Sequence, residues 1–182
     1  LRALLPAVAQ DVRAWTSTFD PDGDALPERT KPRVTGYDLD ILSFWYFTGT
    51  HLDLYAQLDA MERVDFASFV YGNARAVATL ANDIGDTALA EEFETLAGRI
   101  RSAALEELWD DDSQFFYPQR AKDGARAPFR ELHGFFPFTM RLAPDEPRYT
   151  AALEKFIDPQ EFWAPYPPVI TSQHHYREWT WE

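Results

Sequence analysis

The chain has 182 residues, of which 46% are hydrophobic, and it carries a formal net charge of −13 with no cysteine. The acidic balance argues against nucleic acid or an anionic membrane as a partner, because both require a basic face. The absence of cysteine excludes disulfides, thiolate metal sites and cysteine nucleophiles. No apolar run approaches the roughly 18 residues of a membrane span, and the composition suits one well-buried core.

The first predicted elements are a short helix and a charged loop. Residues 6–20 have an amphipathic pattern, with Pro6 in the first turn, where a missing N–H costs little. Residues 20–33 hold three prolines, a glycine and many charges, which is typical of a loop. The loop leads into "RVTGYDLDILSFWYF", residues 33–47, where Asp38 and Asp40 stand among large apolar side chains. Carboxylates beside such a surface are costly if desolvated and unpaired, so they call for an explanation.

Two long helices follow, predicted near residues 66–84 and 87–109. Asp65 is suitably placed as the N-cap of the first, and Gly85 as its end. The second begins near Asp86 or Thr87. The two apolar stripes are made of Phe66, Phe69, Val70, Val77, Leu80, Ala81 and Ile84, and of Leu89, Phe93, Leu96, Ile100 and Leu108. The short Gly-Asp connection predicts an antiparallel helical hairpin.

The rest of the chain, residues 109–182, is less regular. Residues 109–128 are predicted to form a turn and an extended segment, with a short β-hairpin as one form. Residues 130–142 are apolar but interrupted by Gly134 and Pro137, and residues 147–158 read as a short helix. Residues 159–182 carry four prolines and many aromatics, which predicts a long ordered loop. Such loops are usually functional, and the fold class is mainly α with long aromatic-rich loops.

The order of five segments resembles a known group of enzymes. These segments are "TGYDLD" at 35–40, "RVDFASFVYGNARAVATLA" at 63–81, "AEEFETLAGRIRSAALEELWDDDSQFFY" at 90–117, "RELHGFFPF" at 130–138 and "DPQEFWAPYPPVITSQHHYREWTWE" at 158–182. Together they resemble, in the same order, glycoside hydrolases related to trehalase, the family 63 glucosidases and mannosylglycerate hydrolase. Each motif alone has low specificity, so the resemblance rests on the shared order of the five segments.

The resemblance implies a fold and a set of partners. The fold is an (α/α)6 toroid, in which six helical hairpins surround a central funnel. Residues 1–182 would supply a fragment, roughly half, of that catalytic domain. The expected partners are a small carbohydrate substrate and the rest of the chain's own catalytic domain, and no cofactor is implied.

The resemblance also implies that Asp38, in the "GYD" motif, is the general acid. Glycoside hydrolysis needs two carboxyl groups, one of which protonates the leaving oxygen. Apolar surroundings such as those of Asp38 raise a carboxyl pKa and keep the group protonated. Asp40 would bind a sugar hydroxyl or orient Asp38. The alternative from the residues alone is that Asp38 caps the following helix while Asp40 is solvated.

Further residues are candidates for substrate binding. Arg63 can fork to two hydroxyls and Asp65 can accept from a diol, although Asp65 is equally well explained as a helix cap. Glu131 and His133 precede Gly134, which would let the backbone approach a ligand. Tyr37 and the aromatic residues of the tail complete the set, and those suited to stacking on a sugar are Trp163, Tyr166, Trp179 and Trp181.

Some features have ordinary explanations. Phe135, Phe136 and Phe138 line the funnel or fill the core, and core packing is the expected role of Tyr71. The adjacent His174 and His175 do not predict a metal site, because neighbouring histidines point apart and no third ligand is close in sequence.

The predicted function is that of an inverting exo-α-glycosidase acting on a small glucosyl or mannosyl substrate. The catalytic base of the family is a Glu far downstream, and Glu182 is not assigned to that role, so the fragment alone is expected to be inactive. An (α/α)6 sugar epimerase, which would use His as acid and base, or a lyase is the first alternative. A non-catalytic helical module for carbohydrate binding or interaction is the second.

Overall fold

The computed structural model describes residues 2–29, 42–48, 59–166 and 168–178, and these residues form a mainly helical fold, as predicted. A π-helical turn, Ala104–Leu108, and a 3-10 turn, Leu132–Phe135, supplement the α-helices. The α-helices in chain order are α1 (Leu5–Phe19), α2 (Leu42–Thr48), α3 (Val64–Ile84), α4 (Thr87–Ala103), α5 (Phe136–Thr139), α6 (Pro147–Thr150), α7 (Ala152–Ile157) and α8 (Gln173–Glu178).

Helices α3 and α4 form the predicted hairpin. Gly85 follows α3 with φ 79°, and its N–H reaches the carbonyls of Ala81 and Asn82. A left-handed residue at this position suits glycine, which has no Cβ to clash. The Asp86 carboxylate then accepts a hydrogen bond from the backbone N–H of Leu89 at 3.1 Å and caps α4. These two short-range devices fix the turn between the helices.

The hairpin packs through small side chains. The residues of the interface that are 0–3% exposed include Ala67, Ala74, Ala78, Ala81, Ala90 and Ala97. Phe93 and Ile100 of α4 belong to the same core and are fully buried. Charges stay at the rim, where Arg75 donates to Glu94 at 2.7 Å with both side chains about half exposed. Helix α1 packs against α3, its Arg13 also pairs with Glu92 of α4 at 2.6 Å, and it completes this part of the core.

Short antiparallel strands join the loops to the helices. Residues 109–128 form two hairpins, one from β3 (Trp109–Asp110) and β4 (Phe115–Phe116) and one from β5 (Gln119–Arg120) and β6 (Ala125–Arg126). The predicted loop 20–33 contains β1 (Glu28–Arg29), which pairs with β2 (Met61–Glu62), and β2 pairs with β5. This sheet, in the order β1-β2-β5-β6, places the charged loop beside the start of α3.

The tail is anchored to the segment that precedes α5. Leu132 donates its N–H to the carbonyl of Ile170 at 2.6 Å, and Ser172 donates to the carbonyl of Arg130 at 2.9 Å. The prediction of one long loop over 159–182 is wrong in part, because Gln173–Glu178 forms α8. Gln173 follows the last proline by five residues, so its backbone is free to adopt the helix.

The core continues from the hairpin into a group of aromatic rings. Phe115, Phe135 and Phe162 contact each other with ring centroids 5.0–5.9 Å apart, and all three are buried. Phe135 therefore fills the core rather than a funnel. Within the described residues no helix is both long enough and apolar enough to cross a membrane.

Candidate functional site

The acidic motif itself lies outside the described residues. This holds for Tyr37, Asp38 and Asp40, and also for Trp179 and Trp181. What the structure describes is the helix that follows the motif, α2, and the side chains packed against its first turn. The described part of the candidate site therefore consists of those supporting residues.

A buried ion pair lies at the start of α3. The Arg63 guanidinium donates through Nε and Nη2 to the two carboxylate oxygens of Asp65, at 3.0 and 2.9 Å. Both side chains have essentially no solvent exposure. Burial alone would raise the pKa of Asp65, but the charge and hydrogen bonds of Arg63, together with His133 and the Phe66 backbone N–H, outweigh burial and lower that pKa below its usual range. The pair is thus held in its ionised form.

This arrangement corrects the predicted N-cap. Helix α3 begins at Val64 with Arg63 at the cap position, and Asp65 lies inside the first turn. The Asp65 carboxylate faces its charged neighbour, so the pattern that suggested a cap reflects a buried salt bridge. Because Arg63 and Asp65 are both inaccessible to solvent, neither side chain can contact a sugar in the described arrangement.

Glu131 is bonded to the beginning of α2. Its carboxylate accepts a hydrogen bond from the Ser43 hydroxyl at 2.6 Å and another from the Ser43 backbone N–H at 3.4 Å. Glu131 is 1% exposed and Ser43 is 0% exposed. An acceptor at the first turn of a helix satisfies backbone donors that have no partner within the helix. Glu131 therefore links the 130–132 segment to α2.

His133 completes a cluster of buried charges and dipoles. Its Nε2 atom lies 3.1 Å from Oε2 of Glu131, and the side chain is 2% exposed. Burial raises the pKa of Glu131 to about 7. Burial, with the nearby positive charge of Arg63, lowers the pKa of His133 to about 3. We call Ser43, Arg63, Asp65, Glu131 and His133 the buried polar cluster.

Arg29 extends this region, although it was not identified as a candidate from the sequence. Its guanidinium lies over the rings of Phe19, Phe66 and Trp15, at 3.8, 4.1 and 4.6 Å from their centroids. Such contacts stabilise a desolvated cation. Burial lowers the pKa of Arg29, and the Asp65 carboxylate counteracts that effect. No sequence pattern signals this residue, because β1 brings it to α3 only through sheet pairing.

Ser43 and Glu62 were also missed. Ser43 is a polar residue within the apolar run "ILSFWYF", and that isolation is a usable signal. Glu62 is 2% exposed and accepts a hydrogen bond from Gln119 at 2.7 Å. Burial raises the pKa of Glu62 to about 7.

Gly134 has a packing role and not the ligand-facing role predicted for it. A Cβ atom at this position would lie 2.5 Å from Phe115 Cζ and 2.8 Å from the Phe116 carbonyl oxygen. The glycine is required because the backbone crosses β4 at van der Waals distance. The glycine therefore lets the turn that carries Glu131 and His133 pack directly against β4.

The aromatic residues of the tail divide between surface and undescribed chain. Trp163 is 50% exposed and Tyr166 is 85% exposed, so neither fills the core. Their loop is fixed by a partly buried pair, in which Arg130 donates to Glu161, and by the Ser172 hydroxyl, which also bonds to Glu161. Gln173 Nε2 donates to the Trp163 carbonyl at 2.8 Å. Two large aromatic side chains are thus presented on an anchored backbone.

Three acids of the first loop lie close together, although no metal site was predicted from the sequence. Asp20, Asp22 and Asp24 place carboxylate oxygens within 4.8 Å of one another. The Asp20 carboxylate already accepts backbone hydrogen bonds from Gly23 and Ala25, so it has a structural role in the turn. This acidic loop is separate from the buried polar cluster.

Comparisons with known proteins agree with this architecture. The family model of the mannosylglycerate hydrolase MGH1-like glycoside hydrolase domain matches residues 1–178. A solved structure of a GH63 mannosylglycerate hydrolase from Thermus thermophilus in complex with glucose is similar at a TM-score of 0.66 and 18% identity, over 85% of this chain and 44% of its own. This likeness in fold confirms that the chain has the helical-hairpin fold of part of an (α/α)6 toroid.

Two other solved structures show the same fold. A sialidase aligns at a TM-score of 0.76 and 21% identity, over 95% of this chain and 14% of its own. Neutral trehalase Nth1 from Saccharomyces cerevisiae aligns at a TM-score of 0.54 and 18% identity, over 63% of this chain and 22% of its own. The chain spans less than half of the length of each of these three proteins.

Proposed function

Because the chain belongs to the family of mannosylglycerate hydrolase MGH1-like glycoside hydrolase domains, we propose that it carries the general-acid part of a glycosidase active site. The proposed reaction is hydrolysis, with inversion, of a terminal α-linked glucosyl or mannosyl residue from a small substrate. The proposed donor of the proton is Asp38. The catalytic base comes from the rest of the same catalytic domain.

The observation that carries this proposal is the bond between Glu131 and Ser43. Ser43 is five residues beyond Asp38, and its hydroxyl and N–H both bond to one fixed carboxylate. A general acid must be held within hydrogen-bond reach of the leaving oxygen. Fixing the start of α2 limits the positions available to the motif that directly precedes it. Glu131 is therefore proposed to position Asp38 indirectly.

The rest of the buried polar cluster supports the same role. Arg63 holds Asp65 with two hydrogen bonds at the start of α3, and Arg63 also acts electrostatically on Glu131 and His133. Side chains that are locked by such contacts keep a site in one geometry. Arg63, Asp65, Glu131 and His133, which were predicted to bind substrate, are thus proposed as positioning residues.

The chemistry follows from the roles of the two carboxyl groups. Asp38, protonated, donates to the glycosidic oxygen as the bond to the anomeric carbon breaks. The base on the opposite face removes a proton from the attacking water, and an inverting pair lies roughly 6.5–9.5 Å apart to leave room for that water. Asp40 and Tyr37 bind sugar hydroxyls beside the donor in this proposal.

Substrate binding is proposed to use the exposed aromatics of the anchored loop. Trp163 and Tyr166 can stack on the C–H face of a sugar ring while their polar atoms remain in water. Trp179 and Trp181 are assigned the same role by the sequence resemblance. The related structures are named as a mannosylglycerate hydrolase and a trehalase, which favours a small α-glycoside as substrate.

The test uses the full-length protein and three single variants. Hydrolysis of mannosylglycerate and of trehalose is followed by NMR, which also reports the anomer released first. Asp38→Asn should lower kcat by about 10²–10⁴-fold because the amide cannot donate the proton. Asp40→Asn should mainly raise KM. Asp83→Asn, an exposed acid of α3, should leave both constants unchanged.

Three results would overturn parts of the proposal. Full activity in both Asp38→Asn and Asp40→Asn would remove the motif from catalysis. Loss of activity in Asp40→Asn alone would move the acid to Asp40. First release of the anomer with retained configuration would exclude the inverting mechanism.

A further inference from the structure

We propose that a second site, between α3, the end of α4 and the turn after α5, binds a small molecule through a phosphate or carboxylate group. A pocket of about 370 Å³ lies there between three parts of the fold. Helix α3 contributes Tyr71, Arg75 and Thr79, helix α4 contributes Arg101, and the turn after α5 contributes Met140 and Arg141. We call this the arginine pocket, and it is independent of the proposed glycosidase function.

The charge of the pocket is opposite to that of the chain. Three arginines line it, although the formal net charge of the protein is −13. Arg75 is neutralised by Glu94 at 2.7 Å. Among the described residues, the side chains of Arg101 and Arg141 make no hydrogen bond or ion pair. Two arginines without a carboxylate partner therefore line a pocket that has no carboxylate in its lining.

The chemistry of these groups selects the ligand. A guanidinium offers planar pairs of N–H donors that match a phosphate or carboxylate in a bidentate geometry. Tyr71 adds a hydroxyl to a pocket wall although its side chain is only 5% exposed, and that hydroxyl has no hydrogen-bond partner among the described residues. The pocket thus combines two uncompensated arginines with a tyrosine.

The pocket is held by regular structure and is separate from the buried polar cluster. Thr79 is fixed by a hydrogen bond from its hydroxyl to the Arg75 carbonyl at 2.9 Å. Arg141 follows α5, where its N–H bonds to the Phe138 carbonyl at 3.2 Å. Tyr71 and Thr79 lie 6 and 14 residues beyond Asp65, which places them roughly 10–20 Å along the helix axis from the ion pair.

The test is a titration of the purified protein with inorganic phosphate, with malonate and with glucose, followed by backbone amide shifts in NMR. We expect saturable binding of at least one of the anions and none of glucose at this pocket. The largest shifts should fall in residues 71–79, at 101 and at 140–141. Comparison of phosphate with malonate decides which anionic group the site takes. Added NaCl should weaken the binding.

Three variants assign the binding to the arginines. Arg101→Gln and Arg141→Gln should each raise the dissociation constant of the anion about tenfold, because each variant loses a hydrogen bond to a charged group. Arg2→Gln removes the same charge from an exposed arginine outside the pocket and should change nothing. Arg101 and Arg141 are both at least partly exposed, so circular dichroism should show that their variants keep the wild-type fold.

Any of three outcomes would overturn the proposal. The first is that neither anion saturates the wild-type protein, and the second is that the double variant Arg101→Gln/Arg141→Gln binds as tightly as the wild type. The third is equal weakening in Arg2→Gln, which would show a general charge effect and no site. Loss of glycosidase activity in Asp38→Asn has no bearing on these outcomes, so the two proposals fail independently.

Discussion

The two ends of α3 are stabilised in opposite ways. Along most of its length the helix packs against α4 through alanines, and its charged residues, such as Arg75, remain half exposed at the rim. At its first turn the helix carries Arg63 and Asp65, an ion pair with no solvent exposure, beside the equally buried Glu131. Removing charges from water often costs more than their attraction returns. The hairpin is thus built for stability, whereas the buried polar cluster is better explained by a requirement for fixed geometry.

The largest expected effect separates the buried pair at the start of α3 from an exposed pair that joins α3 to α4. Arg63→Met leaves the Asp65 carboxylate buried without its partner, and we expect the free energy of unfolding to fall by about 3–5 kcal/mol. Arg75→Met breaks the exposed pair with Glu94 and should cost no more than about 1 kcal/mol. Urea unfolding measures both. Similar losses in the two variants would remove the distinction between the two regions.

A smaller effect is expected from adding one methyl group in each region. Gly134→Ala places a Cβ 2.5 Å from Cζ of the Phe115 ring, and such overpacking should destabilise the protein by about 1–3 kcal/mol. Gly98 lies in α4 with nothing within 4 Å of the added atom. Gly98→Ala should therefore stabilise by about 0.5–1 kcal/mol, because alanine favours the helix. Thermal unfolding of both variants checks the opposite signs.

The pH dependence of stability gives the third contrast, since Glu131 and His133 act in opposite directions. The pKa of Glu131 is raised from 4.5 to about 7 by burial, so between these values the folded chain keeps a proton that the unfolded chain has lost. Its contribution makes stability fall as pH rises. The pKa of His133 is lowered from 6.5 to about 3, mainly by burial. Between pH 6.5 and about 3 the unfolded chain binds a proton at this histidine that the folded chain does not bind. The contribution of His133 therefore makes stability fall as pH falls.

Single variants should expose each contribution between about pH 4.5 and 6.5, where the two oppose each other. Relative to the wild type, Glu131→Gln should give a stability that rises with pH, by at most about 1.4 kcal/mol per pH unit. Relative to the wild type, His133→Gln should give a stability that falls with rising pH, by a similar amount per pH unit. Urea unfolding at three pH values across this range measures the slopes. Two variants with the same slope as the wild type would contradict the burial of these groups.

The sequence predicted the regular region well because its signals are local. The apolar stripe from Phe66 to Ile84, the glycine at 85 and the capping aspartate at 86 each act within a few residues, and the structure has the hairpin they predict. The tail was harder. Its prolines correctly indicated irregular chain, but α8 begins beyond them and was not predicted.

Four candidate residues that the structure describes were identified one by one from the sequence, but their arrangement in one buried cluster was not predicted. Arg63, Asp65, Glu131 and His133 were each named, and the structure brings them together although 66 residues separate Asp65 from Glu131. Their complete burial could not be inferred, because it depends on how distant segments pack. Arg29 and Ser43 were missed for the same reason. Sheet pairing brings Arg29 to α3, and Ser43 has a role only because its hydroxyl donates to the distant Glu131 carboxylate.

The most direct test of the claim that the buried ion pair serves the active site is the double variant Arg63→Met/Asp65→Leu in the full-length protein. Replacing both members of a buried pair by apolar side chains is often neutral or stabilising, so urea unfolding should show stability close to that of the wild type. Glycosidase kcat/KM should nevertheless fall at least about tenfold, because the geometry at the start of α3 is no longer specified. A double variant that is equally stable and fully active would show that the ion pair has no part in the function of the site.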